Sequence, residues 1–96
     1  MIVRFHPLVR RDVREIVEYY DARSNTAGAR FLEEFAAAVE RIRRRPLSFH
    51  PLDAKRRRSN LVRFPHHLVF EVKDGEVHIL VVRHHKRHPG FGQDRH

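Results

Sequence analysis

Apolar residues recur along this chain with two different periods, and the change of period divides it into a helical half and a sheet half. Ile2 to Phe5 is a short β-prone run that stops at His6-Pro7. Proline suits the first turn of a helix, where its missing N–H has no partner to lose. From there Val9, Val13, Ile16, Val17 and Tyr20 return at helical spacing. Arg10, Arg11, Arg14, Glu15 and Glu18 take the other side, with Arg11/Glu15 and Arg14/Glu18 set as opposite charges four residues apart. Asp21 to Asn25 is polar enough to stop this helix, and Ser24, Asn25 or Thr26 can cap the next. The second helix carries the stripe Phe31, Leu32, Phe35, Ala38, Val39 and Ile42 and is ended by Pro46. Two helices joined by a short polar link make an αα-hairpin.

Beyond Pro46 the period shortens. Residues 46–60 are the least regular stretch, and the four consecutive cations Lys55-Arg56-Arg57-Arg58 repel one another, which predicts a loop or the start of a strand. Leu61 to Phe64 predicts the return of the sheet. Alternation there separates Leu61 and Arg63 from Val62 and Phe64, and a charged Arg63 belongs on the side away from the helices. Two apolar runs follow: Leu68, Val69, Phe70 and Val72, then Val77, Ile79, Leu80, Val81 and Val82. Asp74-Gly75 between them suits a two-residue hairpin turn, because both central positions need positive φ. Ile79 to Val82 is apolar on both faces, which predicts a strand with neighbours on each side. After Pro89 the tail Gly90 to His96 is expected to be irregular. The predicted order is β-α-α-β-β-β in a single domain over residues 1–96. That is an α+β fold, a helical hairpin packed on one face of a small, mostly antiparallel sheet.

Charge changes the picture. Lys and Arg number 20 against 12 Asp and Glu, a net charge of +8, and a third of the residues (33%) are charged. Such a balance points to a polyanionic partner: RNA, DNA or an acidic protein. The hairpin is antiparallel, so Arg63 near its start and Arg83 to Arg87 near its finish are expected at one rim. There is no cysteine, which excludes disulfides, Cys-ligated zinc and thiol catalysis. No apolar run approaches a membrane span or a signal sequence, so a cytoplasmic protein with no membrane partner is expected. His84, His85 and His88 lie close in sequence. Neighbouring strand residues point to opposite faces, however, and no carboxylate follows before Asp94, so neither a metal nor another cofactor is implied.

The element order, the ARFLEEF stretch of the second helix, the RFPHHLVFEV segment and the ILVVRHHKRHPGF ending together resemble the RelE/ParE superfamily, the toxins of bacterial type II toxin–antitoxin modules. The resemblance covers nearly the whole chain. It implies a two-helix hairpin on a curved antiparallel sheet and a cognate antitoxin, acidic in its toxin-binding segment, that wraps the toxin and stops it inhibiting growth. Plasmid stabilization is a role found in such modules. RelE-like members cut messenger RNA on the ribosome, whereas ParE-like members act on DNA gyrase without nuclease chemistry.

Cleavage of RNA by its own 2′-hydroxyl needs a base, cations for the charge that develops on phosphate, and an acid. The resemblance places Arg63 and Arg83 in the phosphate role, where guanidinium forks grip two oxygens at once, and His84 as the acid or base. Lys55, Arg56, Arg57, Arg58, Arg63, Arg83, His85, Lys86 and Arg87 are the candidates for target or nucleic-acid binding. His66 and His67 are expected to pack. One departure favours the gyrase branch: the functional tyrosine of many nuclease members is absent, and the ending here is Pro89-Gly90-Phe91-Gly92. Both tyrosines, Tyr19 and Tyr20, belong to the first helix. The sequence therefore leans to a ParE-like gyrase inhibitor, with a RelE-like endoribonuclease as the alternative. A non-catalytic nucleic-acid-binding module ranks below both, because only Phe64 and Phe91 offer base-stacking rings near the basic patch.

Overall fold

Strand β1 (Ile2–Phe5) and helices α1 (Val9–Asp21) and α2 (Ala27–Arg44) come first along residues 1–96, all of which the computed structural model describes. Ser24 Oγ accepts the N–H groups of Thr26 and Ala27 at 3.2 and 3.1 Å, which satisfies donors that the start of α2 leaves free. A single 3-10 turn at Pro46–Ser48 leads to β2 (His50–Pro51), β3 (Arg56–Asn60), β4 (His66–Lys73) and β5 (Glu76–His84). The strands lie in the order β1-β5-β4-β3-β2, with only β1–β5 parallel. The predicted α+β architecture holds, with the two-residue strand β2 added to the expected order.

The hairpin forms as the sequence indicates. Asp74 and Gly75 have φ of 54° and 73°, the pair of positive values that a two-residue turn with the right twist requires. β5 lies between β1 and β4, which explains its apolar character on both faces. A register shift between Val69/Val81 and Phe70/Ile79 inserts Leu80 as an extra residue. Ile79 and Val82 consequently face the helices, while Leu80 and Val81 both face away.

The segment before β4 differs from expectation. Leu61 to Phe64 is not a strand; β3 lies earlier, over residues that include Arg56, Arg57 and Arg58. Acceptors for each guanidinium make this feasible. Arg57 donates to the carbonyl of Phe49 at 2.7 Å, and Arg56 to Asp53 Oδ2 at 3.0 Å and the Gln93 carbonyl at 3.1 Å. Leu61 N–H then closes onto the His66 carbonyl at 2.9 Å, leaving Val62 84% exposed at the tip of a loop.

Both helices cover one face of the sheet, where Val9, Phe31, Ala38 and Ile42 meet Leu68, Phe70, Val77, Ile79 and Val82. Each large side chain buried there contributes roughly 1.5–3 kcal/mol. The buried apolar cluster of the other face is Val69, Leu80 and Val81, with Phe91 laid over them. The tail has no helix or strand, as expected, and is held in defined turns. It turns through Phe91 N–H to His88 carbonyl, Gln93 to Gly90 and Arg95 to Gly92 contacts of 2.9 to 3.1 Å. Gly92 has φ 78° and sits so close to the sheet that a Cβ would fall 2.3 Å from Val81 Cγ2. No helix is long and apolar enough to cross a membrane.

Candidate functional site

β4 begins and β5 ends at the same rim of the sheet, and the tail returns across it. A cavity of about 510 Å³ opens there between α1 and the strand ends, lined by Asp12, Glu15, Tyr19, Tyr20, His66, Val82, Arg83, His84, Arg87 and Phe91 among others. Its back wall is aromatic. Tyr20 packs edge-on to Phe64 at 5.0 Å between ring centroids, and His66 lies 5.3 Å from Phe31 and 5.1 Å from His84. His66 is buried and its Nδ1 has no partner. Burial, reinforced by the neighbouring His84 and His85, holds its pKa down at about 4, so the ring is neutral near pH 7. Burial also raises the Tyr20 phenol, with Tyr19 adding to the shift.

Arg83 was expected to be free for phosphate. It is only 9% exposed and turned inward. Its Nε donates to His67 Nε2 at 2.9 Å, and its Nη1 donates to the carbonyls of Pro89 and Phe91 at 3.0 and 2.9 Å. The guanidinium thus fastens the tail to β5. Arg87 lies 4.0 Å over the Phe91 ring, a cation–π contact. The expected company of Arg63 does not form. Its backbone N–H donates to Glu34 Oε1 of α2 at 2.8 Å, and its exposed side chain lines a depression with Ala27, Arg30, Glu33 and Glu34. The rim therefore gathers Arg83 and Arg87, while Arg63 sits with the acidic face of α2 instead of on the far side of the sheet.

The remaining candidates divide in two. Lys55 and Lys86 are exposed and form no ion pair. Arg58 donates to Asn60 Oδ1 at 2.8 Å and reaches His85 Nδ1 at 3.1 Å, and His85 stacks on His67 with centroids 5.1 Å apart and planes 9° apart. Burial first, then the charges of Arg58 and Arg83, hold the pKa of His67 down at about 3; burial followed by Arg58 lowers His85 as well. His84 turns to the other side, toward His66, and its Nδ1 accepts the Lys86 N–H at 3.0 Å.

One pair was missed in the sequence. Asp12 Oδ2 accepts Arg95 Nη1 at 2.5 Å and the Val82 N–H at 3.1 Å, with side-chain exposures of 2% for Asp12 and 8% for Arg95. Arg95 also donates to the Leu80 carbonyl at 3.1 Å. β1 ends at Phe5, so β5 has no strand neighbour on its β1 side here, and the pair supplies the missing acceptor and donor. The signal was present: Asp12 is a carboxylate placed among Val9, Val13 and Ile16 on the apolar stripe.

Comparison with known proteins agrees with this arrangement. The family described as the ParE toxin of the type II toxin–antitoxin system, parDE, matches residues 3–89. A solved structure titled as a chromosomal ParDE toxin–antitoxin system from P. aeruginosa is similar over 88% of this chain and 95% of that one. The TM-score is 0.78 and the identity 17%, a likeness of fold. No curated protein sequence matches. The chain belongs to the ParE toxin family of type II toxin–antitoxin systems.

Proposed function

We propose that this toxin stops growth by inhibiting DNA gyrase, and that a cognate antitoxin with an acidic toxin-binding segment neutralises it. The observation that carries the first part is the inward turn of Arg83. A phosphate-gripping arginine has to present its fork to solvent, and this one is committed to His67 and two tail carbonyls. Arg63 lies in a different neighbourhood, and Phe91 has no hydroxyl to move a proton. The three services that RNA cleavage requires are therefore not assembled from the residues first expected to supply them. The net charge of +8 supports an acidic antitoxin segment.

One observation favours the endoribonuclease reading. The cavity brings Tyr19 and Tyr20 beside His66 and His84, so phenol and imidazole groups share one hollow. Induced expression without antitoxin, followed by plasmid topoisomer analysis and transcript mapping, separates the two. Gyrase inhibition predicts growth arrest, relaxed plasmids and intact transcripts. Arrest with normal supercoiling and cut transcripts overturns it in favour of the nuclease, and normal growth with soluble protein present overturns both.

A further inference from the structure

Four side chains on the tail-covered face form a single hydrogen-bonded chain: Arg83, His67, His85 and Arg58. An arginine Nε–H can only donate, so His67 Nε2, 2.9 Å from Arg83 Nε, is an acceptor. The proton of neutral His67 is then on Nδ1, which fixes its partner 2.9 Å away, His85 Nδ1, as an acceptor too. Arg58 Nη2 approaches the same nitrogen at 3.1 Å. An imidazole nitrogen has one lone pair, and two donors compete for this one. Neither Arg58 nor Arg83 has a carboxylate partner. Arg58 is held by an amide oxygen and an imidazole, Arg83 by an imidazole and two carbonyls. Two guanidiniums within reach of each other's field, with no counter-charge and an over-subscribed acceptor between them, describe a place that lacks an anion.

We propose that Arg58 and His85 form a binding site for a phosphate group, and that His85 takes up a proton when the phosphate binds. A phosphate oxygen has lone pairs for several donors and replaces His85 Nδ1 as the acceptor for Arg58 and for His67 Nδ1–H. The released nitrogen gains a proton from solvent, and the exposed imidazolium turns to donate to a second oxygen. Arg83 and His67 are positioning residues behind the site. The charged and titratable groups around His85 are Arg58 from β3, His67 from β4, and His84 and Lys86 from its own segment; around His67 they are Arg58, Arg83, His66 and His85. None is a carboxylate, so nothing here compensates the extra proton until an anion arrives. The low proton affinity of His85 in the free protein, set by burial and Arg58, agrees with that order of events. This inference does not depend on which cellular target the toxin has.

The test uses the full chain and a short oligothymidylate, whose phosphodiesters keep the same charge across the neutral range. Affinity is expected to rise about ten-fold from about pH 8 to about pH 6. Imidazole nitrogen NMR should show the His85 titration moving to higher pH in the complex. His85→Gln should abolish most of the rise toward low pH, separating this site from general protonation of the nine histidines. Arg58→Ala should weaken binding about ten-fold at either pH. If inorganic phosphate alone moves the His85 titration, the site recognises a single group. If only the oligonucleotide does so, the source is a polymer backbone; both results support the site. A titration moved by neither overturns the proposal, as does an unchanged rise in His85→Gln. A glutamate-rich peptide that moves it as far as phosphate does replaces the phosphate assignment with a carboxylate one.

Discussion

The two faces of this sheet are held by different physics. On the helix side, ten buried apolar residues interlock, and position is fixed by shape and by area removed from water. On the other side the buried apolar cluster is Val69, Leu80 and Val81, and a tail of turns is fastened there by the guanidiniums of Arg56, Arg83 and Arg95. A chain rich in arginine thus does not simply display it. Several of its cations are internal ties that meet backbone carbonyls, and the surface left for a target is smaller than the composition suggests.

The contrast can be broken most sharply on the helix side. Phe31→Ala removes a fully buried ring that packs on Tyr20, Phe64 and His66, and should cost about 3–5 kcal/mol in urea unfolding. A loss under 1 kcal/mol would remove area as the main support of that face.

On the tail side Arg95→Ala leaves Asp12 buried with only the Val82 N–H, and should cost about 3 kcal/mol. Adding Asp12→Asn to it should restore part of the loss, since the uncompensated charge is then gone. If the double variant is the less stable one, the pair is not what holds the tail.

The difference between the faces also accounts for what the sequence disclosed. Elements held by apolar periodicity were legible: the stripe from Phe31 to Ile42, the Asp74-Gly75 turn, and β5 with neighbours on both sides. Elements held by guanidinium–carbonyl bonds were not, because a backbone carbonyl leaves no mark in a sequence. Arg56, Arg57 and Arg58 therefore left a loop and a strand start both open and begin β3, and the tail from Gly90 to His96, expected to be irregular, forms a cover of turns. Arg63 and Arg83 were placed by analogy along the chain, and their separation depends on Glu34 capturing the 61–65 loop. His66 and His67 were rightly expected to pack.

A pH series sharpens the comparison further. His66 and His67 have pKa values of about 4 and about 3 in the folded chain, below the 6.5 of an unperturbed imidazole. The unfolded chain therefore binds more protons between these limits, and stability is complete above about pH 6.5 and falls as pH drops toward about 3. His67→Gln should flatten part of that slope without changing the unfolding midpoint at pH 8 by much. A slope unchanged in the variant would mean that His67 is not neutral by constraint.

The smallest effect is expected at the surface. Glu15→Ala removes the exposed 3.1 Å pair with Arg11 and should change stability by less than about 0.5 kcal/mol. A larger loss would mean that the charged face of α1 does more than keep the helix in water.

Purified toxin assayed in parallel with DNA gyrase and with translating ribosomes tests the central claim most directly, namely that Arg83 is an internal tie and the protein acts without cutting RNA. The account predicts loss of supercoiling activity and uncut messenger. Specific cleavage of messenger on the ribosome, abolished by Arg83→Lys while the fold is kept, contradicts it.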